Sequence, residues 1–173
     1  METGNGTEQE VETGHMTESY LNILQESLEK KLQVMAEIQK YSLLQQEIFQ
    51  SEEADLEKYD EYVDKKDELL EKLTALDNGF ETLYRGLSEE LQGNRERYAG
   101  QIKRLQELVT KVTEDSVAIQ AQEKRNKKLV EDYFRRARAG IAQNRRSSRA
   151  AYDYYRSMSG SGVETSQLYD NKK

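Results

Sequence analysis

Residues 56–98, LEKYDEYVDKKDELLEKLTALDNGFETLYRGLSEELQGNRERY, decide the fold. One unbroken 3-4-3-4 spacing runs through Leu56, Tyr59, Val63, Lys66, Leu70, Leu73, Asp77, Phe80, Tyr84, Leu87, Leu91, Asn94 and Tyr98. Ten of these thirteen positions are apolar or aromatic in a chain that is 35% hydrophobic, so chance would supply about four or five. The period is that of one seam on a long α-helix. Asn78-Gly79 inside the run normally signals a turn. A turn would reset the heptad phase, and the phase passes through without slipping, so the spacing predicts a continuous helix that tolerates a glycine at a cost of about 1 kcal/mol.

Working outward, Leu21, Leu24, Leu28, Leu32, Met35, Ile38, Tyr41, Leu44 and Ile48 form a second stripe at the same spacing. Thr17 is placed to cap that helix, with Met16 and Leu21 as a hydrophobic staple. Residues 1–16, rich in Gly, Thr and Glu and without apolar periodicity, read as a disordered leader. Ser51, followed by Glu52 and Glu53, reads as the cap of the next helix after a tight turn. The phase slips between Tyr98 and Ile102, which puts a second turn at Gln92 to Asn94 with Gly93 as C-terminal cap. A third stripe follows through Ile102, Leu105, Val109, Val112, Ser116, Ile119, Glu123, Asn126, Val130, Tyr133 and Ala137. Glu123 and Asn126 on that seam fix register, form a polar layer or mark a stripe opening to solvent as the third helix outruns its partners, and the last is expected.

The predicted fold is all-α: an elongated antiparallel bundle, or coiled coil, of three long helices over 17–50, 51–92 and 95–142, with a flexible C-terminal tail over 143–173. That tail carries Arg145, Arg146 and Arg149, then Ala151, Tyr152, Tyr154, Tyr155 and Met158, then a Gly/Ser linker and an ending with Leu168 and Tyr169. Ala151, Tyr154, Tyr155 and Met158 share one helical face, and a mobile aromatic segment on a rigid bundle suits capture of a partner helix. Tyr133 and Phe134 join them as candidate client-binding residues, with the three arginines as electrostatic support.

Composition narrows the function. The chain has no proline, cysteine or tryptophan and one histidine, His15. It therefore has no disulfide framework, thiolate nucleophile or cysteine metal site, and two-helix carboxylate metal sites lack their Glu-x-x-His partners. No glycine loop suited to phosphate is present, and the carboxylates fall on solvated helix faces. No enzyme activity, metal or cofactor is expected. Residues 1–100 hold 24 acids and 10 bases, residues 101–173 hold 9 and 16, and the total is the net charge of -7. The basic stretch Lys124 to Arg149 serves an acidic face or partner better than nucleic acid, since no nucleic-acid motif surrounds it. No apolar run spans a membrane and no signal peptide is evident, so a cytoplasmic protein without stable membrane insertion is expected. Three helices of similar length joined by short turns satisfy one another, which predicts a monomer or weak dimer.

Three segments carry a family resemblance. The run Tyr62 to Leu73, followed by Leu76 to Phe80, is similar to an acid-then-Leu-Leu signature. Ser116 to Lys127 is the second, and Tyr154 to Gly160 with the ending Leu168 to Lys173 is the third. In that order they resemble the FlgN family of flagellar type III export chaperones in its Gram-positive form. The resemblance implies a cytoplasmic chaperone that consumes no ATP, binds hook-associated proteins at the hook-filament junction and delivers them to the flagellar export gate. It also implies that residues 140–173 are the client-binding region. A FliT-like chaperone for the filament cap, another coiled-coil protein of the export apparatus and a homo-oligomeric coiled-coil scaffold are the alternatives.

Overall fold

A computed structural model describes residues 5–143, together with Arg156 and Ser157. Three α-helices follow one another: α1, Asn5–Ile48; α2, Leu56–Gly93; and α3, Ala99–Gln143. Among the described residues there is no strand, so the all-α, three-helix architecture is the observed one. The chain reverses at each turn. Phe49 meets Tyr59 at one end, and Leu21 and Leu24 meet Leu87 and Leu91 at the other.

α1 packs along both other helices, whereas α2 and α3 make no close backbone approach to each other. The arrangement is a central helix flanked by two others. Its core has two apolar parts. Leu21, Leu24 and Leu28 of α1 meet Leu87 and Leu91 of α2, Tyr98 of the second turn, and Leu105 and Leu108 of α3. Further along, Met35 and Ile38 meet Leu69 and Ile119. Each such side chain, once buried, contributes on the order of 1.5–3 kcal/mol, which stabilises the helices far more than their intrinsic propensities do.

α2 runs unbroken through Asn78 and Gly79, as the unslipped phase requires. Its N-cap is Asp55 rather than Ser51: the Asp55 carboxylate accepts from the Lys58 backbone N–H at 3.1 Å. The Ser51 hydroxyl turns back on the loop and donates to the Glu53 carbonyl at 2.8 Å. Asp55 wins because it directly precedes Leu56, the first residue whose side chain must enter the core. At the other end Gly93 is the last helical residue and Asn94 is the C-cap. Asn94 has φ of -131° and no described glycine has positive φ, so the turn to α3 uses no left-handed residue.

The expected leader is corrected too. α1 starts twelve residues before Thr17, so Thr17 lies inside the helix, 1% exposed, with its hydroxyl donating to the Thr13 carbonyl at 3.0 Å. Small residues make this possible. Gly14 and Thr17 continue the line of Leu21, Leu24 and Leu28 at helical spacing, and the second turn closes on them. The Tyr98 hydroxyl donates to the Gly14 carbonyl at 3.4 Å, and the Arg97 guanidinium lies over Gly14. A stripe made of Gly and Thr has no hydrophobic signature, although it buries as a leucine stripe does.

Toward the turn between α1 and α2 the core becomes polar. Asn126 is 1% exposed and Lys66 is 3% exposed, and Gln45, Ser42 and Gln122 are buried with them. The Lys66 ammonium donates to Gln45 Oε1 at 2.9 Å and pairs with the Glu123 carboxylate. Ser42 donates its hydroxyl to Glu123 at 2.7 Å, and Asn126 Nδ2 donates to the Ser42 carbonyl at 2.8 Å. Gln122 Nε2 donates to Gln46 Oε1 at 2.7 Å and Asn126 Oδ1 at 3.0 Å. Glu123 and Asn126 therefore do not mark a stripe opening to solvent. They form a buried layer, because α1 turns Ser42 and Gln45 inward at the same level and α2 supplies the cation. Tyr59 borders this layer. Burial pushes its phenol well above the ordinary tyrosine range, and the charges of Glu123 and Asp60 push it further.

Candidate protein-binding surface

Two surfaces merit comparison as binding sites. The first lies where α3 passes the turn between α1 and α2. Phe49 sits between Tyr59 and Tyr133, with ring centroids 5.6 Å from each, and Phe134 meets Tyr133 edge-on at 5.6 Å. Tyr41 and Tyr62 pair beside them at 5.7 Å. Tyr133 and Phe134, expected to face a client, are each half-buried, and Tyr133 docks on Phe49 of the first turn. α3 continues ten residues beyond Tyr133 to Gln143. Ala151, Tyr152, Tyr154, Tyr155, Met158, Leu168, Tyr169, Arg145, Arg146 and Arg149 lie outside the described residues.

The second surface is a consequence of the central position of α1. Since α2 and α3 both face α1 without touching backbone to backbone, a groove of about 750 Å³ is left between them toward the second turn. Leu91 and Leu105, both core residues, form its floor. Phe80 and Ile102 line its walls, half-buried, while Tyr84 and Val109 remain 50% and 46% exposed. Phe80 and Tyr84 lie one turn apart on α2 with their rings stacked, centroids 6.1 Å apart. Arg95 and Lys103 are the charged residues lining the groove, and neither forms an ion pair among the described residues. The groove thus has an apolar floor and walls interrupted by Ser88, Gln92, Gln106 and Thr110, and its charged lining residues are both cations.

Tyr84 and Val109 stand on the heptad stripes, where sequence reading treats them as core. The signal that separates them is width. Leu83 precedes Tyr84 and Leu108 precedes Val109, so each helix carries an apolar face broader than one partner helix covers. Leu83 and Leu108 go to α1, and their neighbours remain on the groove.

Other chemistry finds little support in the geometry. Among the described residues no group of three or more His, Cys, Asp and Glu side chains is placed to hold a metal ion. No described helix is long and apolar enough to cross a membrane. His15 is exposed on the N-terminal part of α1, beside Glu12 and Val11. No family model, no curated protein and no solved structure matches this chain.

Proposed function

We propose that this protein is a cytoplasmic, non-enzymatic chaperone of flagellar type III secretion that holds hook-associated proteins of the hook-filament junction and hands them to the export gate. The observation that supports the reading best is the open apolar groove between α2 and α3, a place for a partner helix on an otherwise rigid three-helix body. The sequence segments that resemble the FlgN family add the flagellar assignment. A chaperone of this kind works by occupation. An apolar helix that would drive self-assembly of the client is covered until delivery, and release needs only moderate affinity, a dissociation constant near micromolar or about 8 kcal/mol.

The test is direct. The purified chain, mixed with each purified hook-associated protein at about ten times that dissociation constant, forms a complex that co-elutes on gel filtration and titrates by calorimetry. If neither junction protein binds and the filament-cap protein does, the client assignment moves to the FliT-like alternative. If none binds and light scattering shows a tight, salt-resistant dimer, the protein is a scaffold and the chaperone reading is wrong.

A further inference from the structure

We infer that the α2–α3 groove takes a short amphipathic helix of a partner protein, about three turns long, apolar on one face and acidic along its flanks. The inference rests on the chaperone reading above and names the chemistry of what that chaperone holds. Length comes from the groove itself. Its α3 wall runs from Ala99 to Thr110, twelve residues that span about 17 Å at 1.5 Å rise per residue, which matches about three turns of a facing helix. Apolarity comes from Tyr84 and Val109, large side chains left half-exposed over a floor of core leucines. Polarity comes from Arg95 and Lys103: two cations without ion-pair partners among the described residues, beside an apolar trough, favour a carboxylate-flanked helix and reject a lysine-flanked one.

The chain's own Tyr152, Tyr154 and Tyr155 do not reach the groove. Thr110, at the end of the groove nearest the tail, lies 33 residues or about 50 Å back along α3 from Gln143, whereas the twelve residues from Gln143 to Tyr155 reach about 42 Å fully extended. From Met158 onward the tail is long enough to reach, and there charge opposes it, because Arg145, Arg146 and Arg149 make the tail a basic segment facing a basic rim, from the same chain or from a second copy.

The probe is a fluorescein-labelled, hydrocarbon-stapled peptide of about 18 residues with leucines at three-four spacing and glutamates flanking them, beside a control with lysines in place of the glutamates. Anisotropy is read against wild type, Tyr84→Ala, and the double variant Arg95→Glu/Lys103→Glu, each first shown to keep its circular dichroism. The glutamate peptide binds wild type; Tyr84→Ala weakens it about tenfold, and the double charge reversal weakens it at least as much while gaining the lysine peptide. Equal binding of both peptides, no binding of either, or indifference to Tyr84→Ala overturns the inference. So does a dimer in light scattering that Tyr84→Ala abolishes, since a second copy then fills the groove. Titrating the hook-associated proteins in parallel separates the two ideas. If they bind the groove variants as tightly as wild type, the groove is wrong and the chaperone reading survives. If they fail to bind wild type while the glutamate peptide binds as described, the flagellar reading is wrong and the groove survives.

Discussion

Replacing Lys66 by methionine removes the buried cation of an ion pair whose anion is only partly exposed. The Lys66 side chain is 4% exposed and that of Glu123 is 23% exposed, so the carboxylate left behind is largely shielded from water. Gln45 Oε1 loses its donor in the same step, beside a Gln45 Nε2 that already lacks a partner. Breaking one side of a fully buried pair costs about 3–5 kcal/mol. Glu123 keeps the Ser42 hydroxyl and partial access to water, so Lys66→Met is expected to destabilise by about 2–4 kcal/mol. Removing the second charge as well, in Lys66→Met/Glu123→Met, leaves no buried ion and is expected to recover most of that loss or to exceed wild type, because apolar replacements of buried pairs are neutral or stabilising by up to about 4 kcal/mol. The assay is urea unfolding followed by circular dichroism at 222 nm. With a slope of about 2 kcal/mol per molar urea, the single variant moves the midpoint down by about 1–2 M and the double variant moves it back. A single variant that unfolds at or above the wild-type midpoint would falsify the buried pair. Light scattering on the double variant adds a separate reading: a bundle specified by its apolar packing keeps the wild-type mass, and a layer that sets register gives way to mixed oligomers when the charges go.

Three further outcomes follow from the same geometry. Tyr59→Phe flattens the alkaline loss of stability: the folded phenol is held above the unfolded value near 10, so the native state keeps a proton that the unfolded state releases, and wild type loses about 1.4 kcal/mol per pH unit above pH 10 relative to the variant; denaturant midpoints that run parallel from pH 9 to 11 refute this. Gly79→Ala stabilises by about 0.5–1 kcal/mol, because the position is inside α2, exposed, and an added Cβ meets nothing within 4 Å; a lowered thermal midpoint speaks against the unbroken helix. Truncation after Gln143 changes stability by no more than about 1 kcal/mol, since both apolar clusters and the polar layer lie before that point; loss of the cooperative thermal transition shows instead that the tail is core.

Much of this protein is decided within short windows of sequence. The 3-4 spacing of Leu56 to Leu91 makes α2 a helix, and the unslipped phase through Asn78 and Gly79 keeps it whole, because periodicity is a local property that neighbouring turns enforce together. The same holds for the leucine stripe of α1 from Leu21 and for the reversal after Ile48. Local pattern fails where a residue's meaning depends on what lies across from it. Gly14 and Thr17 look like a polar leader until Tyr98 closes on them. Lys66 and Glu123 look like separate faults in two stripes, and only the packing of α2 and α3 around α1 places ammonium against carboxylate and makes them one layer with Ser42 and Gln45. Tyr84 and Val109 carry the seam spacing yet stay exposed, because one central helix cannot cover two broad apolar faces. Which residues turn inward is a question of helical period, settled within each helix. What they meet there depends on the azimuth and separation of the helices, which the summed packing of all three determines.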